Sequence, residues 1–600
     1  MTLGAWAGQS VSPCALGALM LDPDSVSPDT MIRVCAAGGA VLGGVLWRVL
    51  RRTAAQYSPA GLLLWLGLSW LGGAWLIVAI PLSPVPATPP AIASTWFQIR
   101  TFTGVATIFG ILIFALTLAF AARSVPIPSG RRPLPWWAGG SVCALVWTIT
   151  LLVLWPGLMS PDSIDQWGQV LRGSYDDLHP AIHTMTNWLI TRLWLSPAAI
   201  ALAQIVALAS VAGWGLSRMT ALGCPRSLAW VLCALFALSP VNNPLVITLW
   251  KDVPYTIACL VLTFMLLEIA TTGGDWLARR WRWAALGLAG AALSLFRQNG
   301  PPVAVGTVLI LLVAYRSHWR RIVLAGVTMV GLVVAVRGPL YTALKVQPPI
   351  TPGSLGIVLH HIAAQMHNHT PLTDDQREVL DCLRPGGDWP YDPYTVNPVV
   401  YDGRMRTGYL RLRKFDLMRV CAQLVLSRPD VALRHAVISS SVVWRITHPH
   451  NSWTSLSLGV PYAGRVVTIA ENVYGLHADS RIPALVPAWS AAIATAQREN
   501  WLWLTWRPAL YLYLTLAGAA VAAVRARNAR YLVILCPVLL NELLVGLLAP
   551  AQDLRYHYPA YVVGLLLSVF LLWAAPPVPK PELTGGNPPA DVPPAAADIR

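Results

Sequence analysis

Apolar runs close to the thickness of a bilayer, separated by short polar stretches, fill most of this chain. A helix gains about 1.5 Å per residue, so crossing hydrocarbon takes about 20 apolar residues. The pattern predicts about thirteen spans, near residues 31–49, 60–81, 103–122, 136–156, 198–217, 227–243, 253–270, 283–296, 301–315, 322–337, 505–524, 531–549 and 557–575. Residues 338–504 break the rhythm: they are mostly polar and too many for a loop. Apolar periodicity of helical length over 405–446, interrupted at Arg428-Pro429-Asp430, predicts a mostly helical domain there. The shorter polar run 181–196 is too short and too polar to span and reads as an interfacial helix. The Pro-rich tail 576–600 is expected to be disordered.

Composition fits this pattern. The chain is 55% hydrophobic and 12% charged, where a soluble domain carries about 25% charged residues. A net charge of +16 would suit a nucleic-acid binder, but the arginines fall in short groups between apolar runs. Such groups mark cytoplasmic loops, and nucleic acid is set aside as a partner. Arg48, Arg51 and Arg52 follow the first span, Arg123, Arg131 and Arg132 the third, and Arg218 and Arg226 the fifth. Arg279, Arg280 and Arg282 follow the seventh, Arg316, Arg320 and Arg321 the ninth, and Arg525, Arg527 and Arg530 the eleventh. All lie on one side if the N-terminus is outside and the tail is cytoplasmic, as in a multi-pass protein of the plasma membrane. The first 30 residues hold no Lys or Arg, so they lack the basic start of a signal peptide, and targeting falls to the internal helices. Of nine cysteines, only Cys382 and Cys421 share a long polar segment, and a disulfide between them is an open reading.

With that orientation, SPDSIDQWGQVLRGSYDDLHP (160–180), WKD (250–252), RQNG (297–300), the domain 338–504 and DLRYHYP (553–559) all face outward. Ser160 suits a helix N-cap and Pro161 the first helical position. Asp162, Gln166 and Gln169 would then share a face. Asp162 sits at the positive end of the helix dipole and should stay ionised. It either caps the helix or serves as a base or cation holder. Lys251, one of four lysines, is either a snorkelling anchor paired with Asp252 or a phosphate contact. Arg297 and Arg555 sit against the positive-inside bias, and a guanidinium fork matches phosphate oxygens, although Asp553 beside Arg555 also allows a plain ion pair. His179 and His183 have helical metal spacing but no further ligands, so no cofactor is expected, and a divalent cation stays an open reading. The histidines at 360, 361, 367, 369, 448 and 450 read as surface or groove-lining residues. No phosphate-binding glycine loop, GxSxG or HExxH stands in a fitting context, so an activated donor would have to arrive on a lipid. The residues then fit a sugar carried on a polyprenyl phosphate. Lys251, Arg297 or Arg555 would steady the leaving phosphate, and Asp162 would take the acceptor proton late, being a weak base. Asp165, Gln166, Tyr175, Asp177, His179, Asp252, Asn299, Asp553 and Tyr556 are the expected substrate contacts.

SPDSIDQW and GSYDDLHP, an acidic residue just after a span followed by Tyr and His-Pro, resemble the first outer loop of GT-C glycosyltransferases. That superfamily includes the protein O-mannosyltransferases and aminoarabinose transferases, and WKD, RQNG and DLRYHYP are similar to motifs of bacterial GT-C-like proteins. The resemblance covers roughly 136–345 and 505–575. The Asp-Glu pair common in O-mannosyltransferases stands here as Asp162-Ser163, and three spans precede the loop. It implies an all-α polytopic GT-C-like fold with N-terminal spans (1–135) and a catalytic membrane core (136–337, first outer loop 157–197). An extracytoplasmic domain (338–504), C-terminal spans (505–575) and the tail complete the expected organisation. It further implies inverting transfer from a polyprenyl-phosphate sugar, mannose being the commonest, with Asp162 at the catalytic position. The acceptor would be a glycan, protein, lipid or secreted small molecule. The rival readings are a transporter or flippase, which would show matching halves and mid-membrane charges, and a non-sugar transferase or ligase acting on lipid-linked substrates.

Overall fold

A computed structural model describes residues 59–79, parts of 103–120, 132–348, 355–447, 461–462, 465–548 and 551–573. The predicted span at 31–49, the tail 576–600 and His448 and His450 lie outside the described residues. The apolar runs form helices: α1 (Pro59–Ala79), α2 (Trp136–Val153), two short helices α3 (Pro161–Arg172) and α4 (Ala181–Thr191), then α5 (Pro197–Ala221), α6 (Arg226–Leu238), α7 (Asp252–Thr271), α8 (Arg282–Phe296), α9 (Gly300–Ala314) and α10 (Trp319–Ala335). Beyond them come α11 (Gly356–His367), α12 (Asp374–Leu383), α13 (Lys414–Ser427), α14 (Pro429–Ser439), α15 (Ser441–Trp444), α16 (Pro508–Ala526), α17 (Cys536–Leu548) and α18 (Tyr558–Trp573). The described strands are a two-residue antiparallel pair, β1 (Pro461–Tyr462) and β2 (Arg465–Val466).

Seven described helical stretches are long and apolar enough to cross a membrane: Trp136–Val153, Pro197–Ala221, Asp252–Thr271, Arg316–Ala343, Pro508–Ala526, Ala529–Leu548 and Leu554–Trp573. The chain is a helical membrane protein. Five further predicted spans are shorter apolar helices among the described residues: Ala60–Leu76 within α1, Phe109–Phe120, α6 of 13 residues, and α8 and α9 of 15 each. The expected run 227–243 stops at Leu238 because Ser239 precedes Pro240, and the residue before a proline disfavours helical backbone. Close approach by small residues binds α2 to α5. A Cβ on Gly213 would lie 2.1 Å from the Trp136 carbonyl oxygen, so only glycine fits this crossing.

The arginine groups among the described residues gather at one end of the bundle. Arg226 donates to the Arg132 carbonyl at 2.6 Å, Arg218 of α5 pairs with Glu268 of α7, and Arg530 lies 5.3 Å from the Tyr315 ring centroid. Arg525 donates to the Leu572 carbonyl at 2.7 Å, meeting the last turn of α18.

At the other end, segment 338–504 divides where the sequence suggests one unit. A separate core built on Leu359, Leu380, Leu417 and Leu424 spans α11 to α13. Beyond Arg428, α14 packs on α17, and α15 on α16 and α17. Residues 469–506 return to the main core through Ile469, Tyr474, Trp489 and Trp506. Arg507 is fully buried there, and its guanidinium donates to the carbonyls of Ser441 (3.2 Å) and Arg445 (3.0 and 2.6 Å) at the end of α15. A helix C-terminus is a partial negative charge, which suits a cation with no carboxylate partner among the described residues. The break foreseen at Arg428-Pro429 is present, with α13 ending at Ser427 and Pro429 opening α14. Cys382 and Cys421 are free thiols. The expectation of a surface or groove-lining residue fails for His360, which is buried with its ring centroid 4.3 Å from that of buried His435, because the facing sides of α11 and α14 close over the pair.

Candidate functional site

Backbone pairing sets the position of α3. Leu158 exchanges hydrogen bonds with Ile247 and Leu249 at 3.0 Å each, while Met159 bonds Thr468 at 2.9 Å and accepts from Ala470 at 2.8 Å. The strip 158–159 is thus held between two extended segments. Ser160 then caps α3 with Pro161 in its first turn, and Gly173 in left-handed backbone (φ 67°) ends it. Ser160 Oγ accepts from Trp250 Nε1 at 2.7 Å, and Ser163 Oγ donates to the Leu249 carbonyl at 2.9 Å. These bonds fix Asp162, in the first turn of α3, beside Lys251 at the head of α7. The tight connection between α8 and α9 supplies Arg297 and Asn299, and a 3₁₀ turn, Leu554–His557, before α18 supplies Arg555 and Tyr556.

These four places meet in one charged cluster. Arg555 Nη1 donates to Asp162 Oδ2 at 2.9 Å, its Nε lies 2.9 Å from Asp553 Oδ2, and its guanidinium stacks 4.8 Å from the Trp250 ring. Lys251 Nζ lies 2.6 Å from His179 Nδ1, and His179 Nε2 lies 3.8 Å from Asp162 Oδ1. A lysine ammonium only donates, so Nδ1 is the acceptor, the ring proton is on Nε2, and it faces Asp162. Arg297 Nε stands 3.3 Å from Asp252 Oδ1, with the guanidinium between the rings of Tyr255 (5.3 Å) and Tyr556 (4.9 Å). Asp252 is 1% exposed and neither of its oxygens has a hydrogen bond among the described residues, so Arg297 is its compensation. Asp162 is more open, at 34%.

The fields within the cluster set its protonation. Burial alone would raise the Asp162 carboxyl, but Arg555, backed by His179 and Lys251, outweighs it and holds the group at about 2. Burial, reinforced by the Lys251 charge, lowers His179 to about 4, which agrees with its neutral tautomer. Burial also lowers Lys251, to about 8, against the pull of Asp252. At neutral pH the ensemble is an ionised Asp162, a neutral His179 and a charged Lys251.

The other residues singled out from sequence fall in two groups. Asp252, Asp553 and Tyr556 belong to the cluster, and Asn299 Nδ2 donates to Asn541 Oδ1 at 3.1 Å just behind it. Gln166, Tyr175, Asp165 and Asp177 do not join it. Gln166 is buried against α4, bonded to Thr184 Oγ1 (2.9 Å) and His183 Nδ1 (3.2 Å). Asp165 accepts from Gln169 Nε2 at 2.9 Å, and Gln169 also holds Asp176, so the expected common face of Asp162, Gln166 and Gln169 splits among three partners. Tyr175 packs with Ala181 and Tyr341, and Asp177 accepts from the Ala181 amide at 3.0 Å, capping α4. Sequence reading missed Trp250 and Tyr255, which stack on the two guanidinia, and the polar set behind them. Asn541 accepts from Tyr255 Oη (2.9 Å) and donates to the Tyr556 carbonyl (3.2 Å), while Glu542 pairs with His557 in full burial. The signal was present: Asn541-Glu542 is a polar pair inside an apolar span. Among the described residues, no group of three His, Cys, Asp or Glu side chains has metal-binding geometry.

A family of unknown function (DUF6020) matches residues 183–383, a stretch that holds Lys251, Asp252, Arg297 and Asn299 and leaves Asp162 and Arg555 outside. No curated protein and no solved structure matches the chain.

Proposed function

We propose that this protein is a GT-C-like membrane glycosyltransferase that moves a sugar, mannose first among them, from a polyprenyl phosphate to an acceptor hydroxyl outside the cytoplasm, with inversion. The observation that carries this reading is the meeting of Asp162 with Arg555, Lys251 and Arg297 at the end of the bundle opposite the arginine groups. By the positive-inside rule that end is exterior, where nucleotide sugars are absent and a lipid must bring the activated sugar. The polyprenyl chain would lie along the apolar helices with its phosphate at the cations.

In this reaction the acceptor oxygen bonds to the anomeric carbon as the carbon–oxygen bond to phosphate breaks, and the polyprenyl phosphate leaves with the electron pair. The acceptor proton passes to Asp162. With Arg555 bound to it, Asp162 is a poor base, since its pKa of about 2 leaves little proton affinity. A donor phosphate competes for the same guanidinium fork. Drawing Arg555 toward phosphate frees the carboxylate and raises its basicity, so the base is armed only when donor is bound. Neutral His179, held by Lys251, keeps its Nε2 proton toward the carboxylate and orients it.

The test is purified protein in proteoliposomes, given radiolabelled polyprenyl-phosphate mannose with glycan, peptide and lipid acceptors. Label is expected in an acceptor. Label that stays on the donor with every acceptor, while a labelled lipid or solute crosses the vesicle wall, would replace the transferase by the transporter reading.

A further inference from the structure

Helix α13 is apolar on two opposite sides. Leu417, Val420, Cys421 and Leu424 fill the separate core of the 355–425 unit. On the far side Phe415, Met418, Ala422 and Leu426, spaced i, i+3, i+7 and i+11, form a second stripe along one face. Phe415 is 73% exposed and Leu426 79%. A soluble surface would carry polar residues there. The stripe continues on the next helix, where Leu433 and Val437 of α14 are exposed one turn apart.

Two features say what covers it. First, α14 runs into the membrane bundle: it packs on α17, and next to it Ser440 and Val443 come within 3.8 and 3.4 Å of where a Cβ on Gly546 would lie. On that same end of α17, Leu543 and Leu547 are exposed in a helix apolar enough to cross the bilayer. The apolar surface therefore passes from a spanning helix to α14 and on to α13. Second, its edge is basic. Lys414 lies over the Phe415 ring at 5.1 Å with no carboxylate among the described residues within ion-pair distance, and Arg434 is exposed beside Leu433. An apolar stripe with a cationic edge is the pattern of a helix lying in the headgroup–acyl boundary, drawn further by anionic headgroups.

We propose that the outward stripe of α13 and α14 rests in the membrane that the chain itself crosses, in the leaflet on its own side, with Lys414 at the level of anionic phosphates. This contact would fix the 355–425 unit over the bilayer instead of leaving it free in water. It does not depend on the reaction proposed above.

The test uses the full chain in proteoliposomes containing anionic phospholipid, with a fluorescent non-natural residue at position 415, 426 or, for comparison, at exposed Asp381 of α12. Phospholipid bearing a nitroxide near the headgroup is expected to quench the probes at 415 and 426 several-fold more than the one at 381, and iodide in the water to do the reverse. Equal access of iodide at all three positions, with no lipid quenching at 415 and 426, would overturn the proposal. Shielding of 415 and 426 from both quenchers would overturn it as well, because a second copy of the chain would then be the cover.

Discussion

Asp162→Asn is expected to lower kcat for sugar transfer by about 10²–10⁴-fold, the usual worth of general-base help, with the donor KM changed only a few-fold. Asparagine keeps the shape and its Oδ1 can still accept from Arg555, but its NH2 cannot accept from His179 as the second carboxylate oxygen does, and it cannot hold the acceptor proton. Donor binding is expected to survive because the phosphate contacts proposed for Lys251, Arg297 and Arg555 are untouched, and Arg555 would no longer have to leave a carboxylate. Arg555 also keeps Asp553 at 2.9 Å, so the variant does not strand a bare cation. Initial rates in proteoliposomes, with a melting curve to confirm folding, give the result. An unchanged kcat would remove Asp162 as the base.

Arg555→Lys comes second in size. The guanidinium serves two carboxylates, Asp162 and Asp553, and stacks on Trp250. An ammonium keeps the charge and loses the fork and the stack. Losing one charge-assisted hydrogen bond to the leaving phosphate costs about 1.5–3 kcal/mol, or about 10–10²-fold in kcat/KM. The pH profile carries a second, separate signature. Arg555 is the foremost charge holding the Asp162 carboxyl down at about 2. The ionised carboxylate is the active form, so activity is lost as pH falls through its pKa. In kcat/KM, which reports the donor-free protein, the wild type is expected to show no acid limb from this group above about pH 4, because its pKa there is about 2. Arg555→Lys keeps a charge beside the carboxyl and moves the acid limb little, whereas Arg555→Gln removes that charge, so the carboxyl rises toward the ordinary range and the acid limb moves up in pH. A loss of rate in Arg555→Gln with an unmoved acid limb would mean that Arg555 binds donor without governing the base.

Much of this molecule was legible because proline, capping residues and long apolar runs act locally. Ser160-Pro161 opened α3 and Arg428-Pro429 split α13 from α14 as read, since both follow from backbone sterics within a few residues. The gathering of Asp162, Lys251, Arg297 and Arg555 at one end was legible through arginine alternation, which fixes the end at which each connection lies. What was hidden depends on partners distant in sequence. The face that α3 presents is chosen by α4, which takes Gln166 for itself. Hydropathy averaged over a span concealed Asn541 and Glu542, and nothing local announced that His435 would be buried against His360. The polar length of 338–504 suggested one domain, whereas its last third packs Ile469, Tyr474 and Trp489 against the core of the membrane bundle.

A lipid-borne donor is required only if the Asp162–Arg555 end of the bundle faces the exterior. Single cysteines at Ser174, exposed between α3 and α4, and at Ser227, exposed at the arginine-rich end, report this directly when intact cells meet a membrane-impermeant maleimide. Labelling of position 174 from outside, and of 227 only after permeabilisation, is the expected result. The opposite pattern would open the cluster to the cytoplasm and contradict an exterior, polyprenyl-phosphate-dependent active centre.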